Sequence, residues 1–269
     1  LVNATKFGIA PPRVARAIAR APGPARRLLA AFPRLRQQAR SRAAGPTSGR
    51  AGALLYAAEG YSAASASASL ERSMRQLRTD HVDLLLLHDP EPGGMRSDEV
   101  CGYLEQARQA GTIRAWGIAG EPEPTLQVAR SLRAGTPVLQ VRDDILLRSL
   151  SDISGEAFPA RITFGVIGRA VGEVVAHVSA DPERRRRWSA AVGCDCGDPE
   201  MSASLLLRHA LRENPTGVVL FSTIRDDHMR AAAATAGPDQ LSGTRDLDAF
   251  VRLVDSELRT TGSTRGTGP

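Results

Sequence analysis

Long apolar runs are missing from this chain of 269 residues: no stretch approaches the ~20 consecutive apolar residues that a membrane-crossing helix needs. Leu84 to Leu87, four leucines in a row, has the length of a buried strand. The opening residues Leu1-Val2-Asn3-Ala4-Thr5-Lys6 lack the basic region and apolar core of a secretory leader, and they lack a starting methionine. The expectation is a chain that begins inside a longer gene product or has been cut. Cysteine is scarce too. Cys101, Cys194 and Cys196 make no disulfide framework, and Cys194-Asp195-Cys196 sets its thiols too close for a zinc knuckle, with no second ligand pair. No metal and a cytoplasmic location are the expectations that follow. Acidic residues are absent from one whole stretch: residues 11 to 50 hold ten arginines, from Arg13 to Arg50, and no Asp or Glu. Such a stripe is either a solvated helical insertion or an attractor of phosphates on nucleic acid or anionic lipid. Phe32 is its only aromatic, which leaves little for base stacking, and the insertion is the reading adopted.

What is present is an ordinary apolar content of 42% and a length that suits one large α/β domain. Short apolar runs alternate with helical ones, the pattern of a parallel sheet with helical crossovers. Val2 to Phe7 reads as a short strand ending in Thr5-Lys6, followed by the arginine-rich insertion, which prolines and glycines break into two or three helical pieces. Ser62 to Leu77 reads as a helix, with Leu70, Met74 and Leu77 on one face and Ser62 as its cap. Val82 to Leu87 is a strand, apolar almost throughout, as one covered on both faces should be. Ser97 to Ala110 is a helix closed by Gly111; Ile113 to Ile118 is a strand; Glu123 to Ala134 is a helix. Strands are expected at Val138 to Val141, Ile162 to Ile167 and Gly217 to Phe221, and helices at Ser202 to Glu213, 226 to 235 and 246 to 258. The Gly/Thr/Ser-rich tail from Thr260 reads as disordered. Six strands in βα order fall two short of a closed barrel, and the missing two are expected before Leu1.

The motifs sharpen this. Ser69-Leu70-Glu71-Arg72-Ser73-Met74-Arg75-Gln76-Leu77-Arg78-Thr79-Asp80 runs into Val82-Asp83-Leu84-Leu85-Leu86-Leu87-His88. Further on come Gly111-Thr112-Ile113-Arg114-Ala115-Trp116-Gly117-Ile118, then Val138-Leu139-Gln140-Val141, then Val218-Val219-Leu220-Phe221-Ser222-Thr223. In order and spacing this series resembles the aldo-keto reductase family from Thr5 to about Thr235. The resemblance implies a (β/α)8 TIM barrel over residues 1 to 259, with its first two strands missing and the Arg-rich segment 11 to 60 inserted. It implies an NADP(H)-dependent oxidoreductase, NAD(H) being second choice, that reduces an aldehyde or ketone without a metal.

The family uses a tyrosine to protonate the carbonyl oxygen, a lysine paired with an aspartate to lower that tyrosine's pKa from the ordinary ~10, and a histidine to orient the carbonyl. Lys6 fits the lysine and His88 the histidine, both at C-terminal strand ends, where barrels build their active sites. Taken alone, Lys6 reads as a surface lysine ending a strand and His88 as a capping histidine. The aspartate and tyrosine precede the lysine in the family and have no match here. Tyr56 and Tyr61 follow Lys6 and are weak candidates for a relocated proton donor; Tyr103 reads as packing. The Ser-Asn pair that holds the nicotinamide carboxamide falls at Ala119 and Gly120, losing a hydrogen bond worth ~0.5–1.5 kcal/mol. Gln140 matches the glutamine on the same carboxamide, or satisfies backbone groups at a strand end. Ser222 and Thr223 match the residues on the cofactor's phosphate side. His228 stands where the family has Arg or Gln, and Asp226 and Asp227 would repel a 2′-phosphate unless Arg225 offsets them.

Three readings remain open at this point. One is the carbonyl reductase, taking a small-molecule substrate. Another is a non-catalytic barrel relative that binds a nucleotide or a partner protein. The third and weaker one makes the arginine-rich stretch a nucleic-acid or membrane-surface adaptor on a barrel scaffold, whereas the reading adopted expects neither a membrane nor nucleic acid as partner. Weak turnover and poor stability are expected of these 269 residues by themselves.

Overall fold

The computed structural model describes residues 2–10, 57–58, 60–93, 97–132, 138–153, 158, 160–237 and 246–259. The arginine-rich segment 11 to 50, Tyr56 and the tail from Thr260 lie outside the described residues, and with them the expectations made for those segments. The chain divides into two compact units, Leu1–Ala119 with Arg130–Gly135, and Gly120–Ala129 with Thr136–Pro269.

The first unit opens with β1 (Ala4–Phe7), then β2 (Ile9–Ala10) paired antiparallel with β3 (Ala57–Ala58). Next come α1 (Ala63–Leu77), β4 (Val82–His88), α2 (Ser97–Gln109) and β5 (Ile113–Gly120). Local chemistry sets these boundaries. Ser62 caps α1 by accepting from the Ser65 N–H, and the Ser65 hydroxyl accepts in return from the Ser62 N–H, so two orphan donors of the first turn are satisfied reciprocally. Arg78 closes the helix in a left-handed conformation, φ 55°, with its N–H on the Met74 carbonyl. β1, β4 and β5 lie side by side and parallel, Lys6 opposite Leu86 and His88 opposite Ala119. Asp83 fixes this register from one end. Its carboxylate accepts the Asn3 N–H at 2.8 Å and pairs with Arg114 at 2.7 Å, tying the approach to β1 and the start of β5 to β4. Burial does the rest: Phe7, Leu70, Val82, Leu85, Leu87, Leu104, Ile113 and Trp116 form one core, each large side chain contributing roughly 1.5–3 kcal/mol when removed from water.

The second unit takes in most of α3 (Pro122–Ser131), then β6 (Val138–Arg142), the short α4 (Ser149–Asp152), β7 (Arg161–Phe164), α5 (Gly168–Ser179), α6 (Pro182–Val192), α7 (Pro199–Glu213), β8 (Val218–Val219), α8 (Asp226–Thr235) and α9 (Leu247–Val254). A π-helical turn, Asp255–Arg259, follows α9. β6, β7 and β8 pair in parallel, and Val174, Val178, Trp188, Leu205, Leu206 and Phe250 make this unit's core. Two features differ from the expectation. α5 and α6 fill a stretch to which the apolar pattern assigned no helix. The last strand is two residues long instead of five, although the Leu220 N–H still reaches the Thr163 carbonyl at 2.7 Å. Apart from the short antiparallel pair β2–β3, both units are thus built from parallel strands and helices, the (β/α) construction expected of the barrel class.

Candidate active site

Adjacent parallel strands place three of the expected residues at neighbouring C-terminal ends: Lys6 on β1, His88 on β4 and Ala119 on β5. Lys6 is half-buried, and burial pushes its ammonium below the ordinary lysine range, against the opposing pull of Asp89. His88 behaves alike. Burial lowers its pKa first, Asp89 raises it and the charge of Lys6 lowers it again, so the imidazole is held neutral at pH 7. Asp89 has its Oδ2 3.5 Å from His88 Nε2.

The backbone of Asp89 is unusual. Its φ is 50°, in the left-handed region that side chains other than glycine seldom enter. Two bonds hold it there: its N–H donates to the Ala119 carbonyl at 2.7 Å, and its own carbonyl accepts from the Tyr61 hydroxyl at 2.9 Å. Tyr61 also donates to the His88 carbonyl at 2.6 Å, so one phenol pins the end of β4 at two consecutive residues. Burial, with Asp89 and Glu91 nearby, pushes the Tyr61 hydroxyl up to about 12. Gly8 makes room for the ring: at φ 105°, a Cβ there would lie 2.2 Å from Tyr61 Cε1. Tyr61 is therefore a clamp on the strand end, and its proton is committed to backbone oxygens.

The remaining expected residues belong to the second unit. Gly120, at the end of β5, is buried, and Gln140 is 5% exposed on β6 between Leu139 and Val141. Ser222 and Arg225 are exposed, and Thr223 and His228 partly so, on the segment leading into α8. This segment is organised around Asp227, whose carboxylate takes the Arg225 guanidinium on both oxygens, Nε at 3.0 Å, and accepts the His228 N–H at 3.0 Å. The Arg225 hydrogen bonds hold the Asp227 carboxyl down at about 2. Thr223 Oγ1 accepts the Arg225 N–H at 3.1 Å. Arg225, expected to offset the acids in front of a phosphate, is thus already neutralised by one of them.

Sequence reasoning missed Asp89 and the clamp made by Tyr61. A signal was available. Lys6 is the only lysine in the chain, every other member of its 35 basic residues being arginine. A chain that uses arginine everywhere else keeps a primary amine at one strand end, and the acid that faces it follows directly on His88. Among the described residues no group of three or more His, Cys, Asp or Glu is placed to hold a metal ion, and no helix is long and apolar enough to cross a membrane.

Comparison with known proteins places these residues in context. Residues 50–149 match the model of the Aldo/keto reductase family. Oxidoreductase YdhF of Escherichia coli is 43% identical over 51 residues, 19% of this chain and 17% of that protein. Methylglyoxal reductase DkgB of Salmonella typhi is 40% identical over 62 residues, 23% of each chain. The matches thus span less than a quarter of the curated relatives' own length. Among solved structures, a candidate 2,5-diketo-D-gluconic acid reductase B superposes with TM-score 0.52 at 26% identity, covering 72% of this chain and 64% of its own. The glycerol dehydrogenase of Gluconobacter oxydans superposes with TM-score 0.52 at 16% identity, covering 76% and 67%, a likeness of fold.

Proposed function

We propose, from the match of residues 50–149 to the Aldo/keto reductase family, that this chain belongs to an oxidoreductase that reduces an aldehyde or ketone to an alcohol with a nicotinamide nucleotide. The observation that carries this reading is the placement of Lys6, His88 and Ala119 at the C-terminal ends of three adjacent parallel strands, with both titratable groups half-buried. Barrel enzymes assemble their chemistry at that end. His88 stands where the family orients the carbonyl oxygen. The Lys6 ammonium stabilises negative charge developing on that oxygen, an effect that grows with exclusion of water. A bound nicotinamide nucleotide would supply the hydride, and a proton must then reach the oxygen. The family's aspartate and tyrosine are not matched within these residues, and the Tyr61 hydroxyl is committed to the His88 and Asp89 carbonyls.

The residues fit such a nucleotide unevenly. Gln140 offers a buried carboxamide, able to donate to and accept from another carboxamide, and Ala119 and Gly120 leave backbone groups where the family has side chains. Ser222, Thr223, Arg225 and His228 would hold the phosphate side. NADP(H) is the nucleotide we assign, although selection of its 2′-phosphate requires Arg225 to exchange Asp227 for the phosphate. The remaining assignments are a small carbonyl compound as substrate and a cytoplasmic location. The test is a fluorescence titration with NADPH, and NADH beside it. Saturable binding, weakened about two- to tenfold by Gln140→Ala as for one lost hydrogen bond, is the expected result. A folded protein that binds neither nucleotide overturns the reading.

A second reading has one observation behind it. With Tyr61 spent on backbone carbonyls, a barrel relative that binds nucleotide or a partner without turnover accounts for the same geometry. Nucleotide binding with no carbonyl reduction under any substrate would favour it.

A further inference from the structure

We propose that Asp89 is a positioning residue of this site, its carboxylate serving as the shared counterion that orients His88 and holds the charge of the chain's only lysine, Lys6. The inference rests on the oxidoreductase reading for its purpose, but not for its geometry. Asp89 Oδ2 lies 3.5 Å from His88 Nε2, and the same carboxylate acts electrostatically on Lys6, on His88 and on Tyr61. Among the described residues, Asp89 is common to the electrostatics of all three groups.

The backbone argues that this carboxylate is there for what it does. At φ 50° a glycine would meet the conformational requirement without steric cost, whereas an aspartate holds a left-handed conformation fixed by bonds to Ala119 and Tyr61. What aspartate adds over glycine is an anion at the junction of β1 and β4. The clamp fixes where that anion points, because Tyr61 holds the carbonyls of His88 and Asp89 together. Two consequences follow. His88 is biased to present its Nε2–H towards Asp89, leaving Nδ1 as the acceptor, so its orientation is set before any substrate arrives. The half-buried Lys6 has, in Asp89, a countercharge that opposes its desolvation. Among the described residues, the charged and titratable groups acting on this junction are Lys6 from β1, His88 and Asp89 from the end of β4, Glu91 just beyond, and Tyr61 from the entry to α1.

Two measurements on the full chain decide this without turnover. The first is an NMR titration of His88, its resonance assigned by loss in His88→Gln. The second is the pH profile of amine labelling at Lys6, read by mass spectrometry, which a single lysine makes unambiguous. Asp89→Asn should move both titrations to lower pH, Asp89→Glu should largely restore them, and Glu91→Gln should leave His88 in place. Asp89→Gly separates the carboxylate from the backbone: it relieves the left-handed conformation and should melt at no lower temperature than the wild type, yet lose both titration shifts. Titrations unchanged in Asp89→Asn and Asp89→Gly would overturn the proposal, as would Glu91→Gln shifting His88 as far as Asp89→Asn does. Failure of the wild-type chain to bind nucleotide would sink the oxidoreductase reading instead, and the two titrations would still decide the role of Asp89.

Discussion

Tyr61 and Gly8 show how a single side chain can set the geometry of a strand end. The ring lies edge-on to Phe7, 6.4 Å between centroids, and occupies the space that a Cβ at residue 8 would need. Gly8→Ala therefore combines a positive-φ strain with a direct clash and should destabilise the protein by about 2–4 kcal/mol, measured by urea denaturation. In the Tyr61→Ala background the clash is gone, and the same substitution should cost about 1 kcal/mol, the backbone component alone. Equal costs in the two backgrounds would show that the ring is not what excludes the methyl group. At the other expected site, Asp227 holds Arg225 on both carboxylate oxygens. Asp227→Asn should release the guanidinium and raise affinity for NADPH about two- to fivefold while leaving NADH nearly unchanged, the scale of an exposed ion pair. A parallel change for both nucleotides would place Arg225 away from the 2′-phosphate. The clamp is not legible in the sequence alone, because Tyr61 and His88 meet across 27 residues and only the folded sheet brings them together, whereas Arg225 and Asp227, two residues apart, were already paired by their charges.

Among the elements, those with a clean apolar stripe or an apolar run were readable in advance: α1 around Leu70 and Met74, and β4 through its four leucines. α6 was not, because Arg184, Arg185, Arg186 and Arg187 dilute its stripe to Trp188 and Val192. Its ends carried the signal instead, with Asp181 as cap, Pro182 in the first turn and Gly193 at φ 79° closing it. All four of those arginines are paired, Arg184 on the His177 carbonyl, Arg185 on Asp195, Arg186 on Glu183 and Arg187 on Glu257, so the charge of this basic run is met within the fold. Glu257, in the π-helical turn, additionally accepts from the Trp188 indole at 3.2 Å and meets His177 at 3.0 Å. The junction of β6, α4 and α7 hides a further balance. Asp143 is buried and accepts backbone N–H groups of Ser149 and Leu150 at the start of α4, yet burial drives its carboxyl up to about 6. His209 on α7 is buried as well, and burial drives it down to about 4. The signs are opposite. A raised Asp143 contributes stability that is complete below pH 3.8 and is lost as pH rises through 6. A lowered His209 contributes stability that is complete above pH 6.5 and is lost as pH falls through 4. Each shift is worth on the order of 3 kcal/mol, so between pH 4 and 6.5 the two nearly cancel. Urea denaturation should find Asp143→Asn losing stability as pH falls from 6.5 to 4 and His209→Gln gaining it, each by up to about 3 kcal/mol. Parallel pH profiles for the two variants would refute the compensation.

On the scale of the whole molecule, the parallel α/β class was readable from the alternation of apolar runs and helical stretches, whereas the division into two compact units was not, because no linker composition marks it. Each unit has its own core, and the chain's two tryptophans divide between them, Trp116 in the first and Trp188 in the second. This makes the nucleotide assignment testable by location as well as by affinity. Gln140, Ser222, Thr223, Arg225 and His228 all belong to the second unit. A ligand that binds only the folded form stabilises what it binds by RT ln(1 + [L]/Kd), about 2.7 kcal/mol at a hundredfold excess over Kd. For a chain of this size that corresponds to a rise in melting temperature of roughly 5–10 °C. The transition reported by Trp188, isolated in Trp116→Phe, should therefore rise by that amount with NADP⁺, and Gln140→Ala should need more nucleotide for the same rise. If the units unfold together, Trp116, isolated in Trp188→Phe, follows; if they unfold separately, the second unit responds by itself. A rise reported by Trp116 and absent at Trp188 would place the nucleotide on the first unit and overturn all five second-unit assignments together.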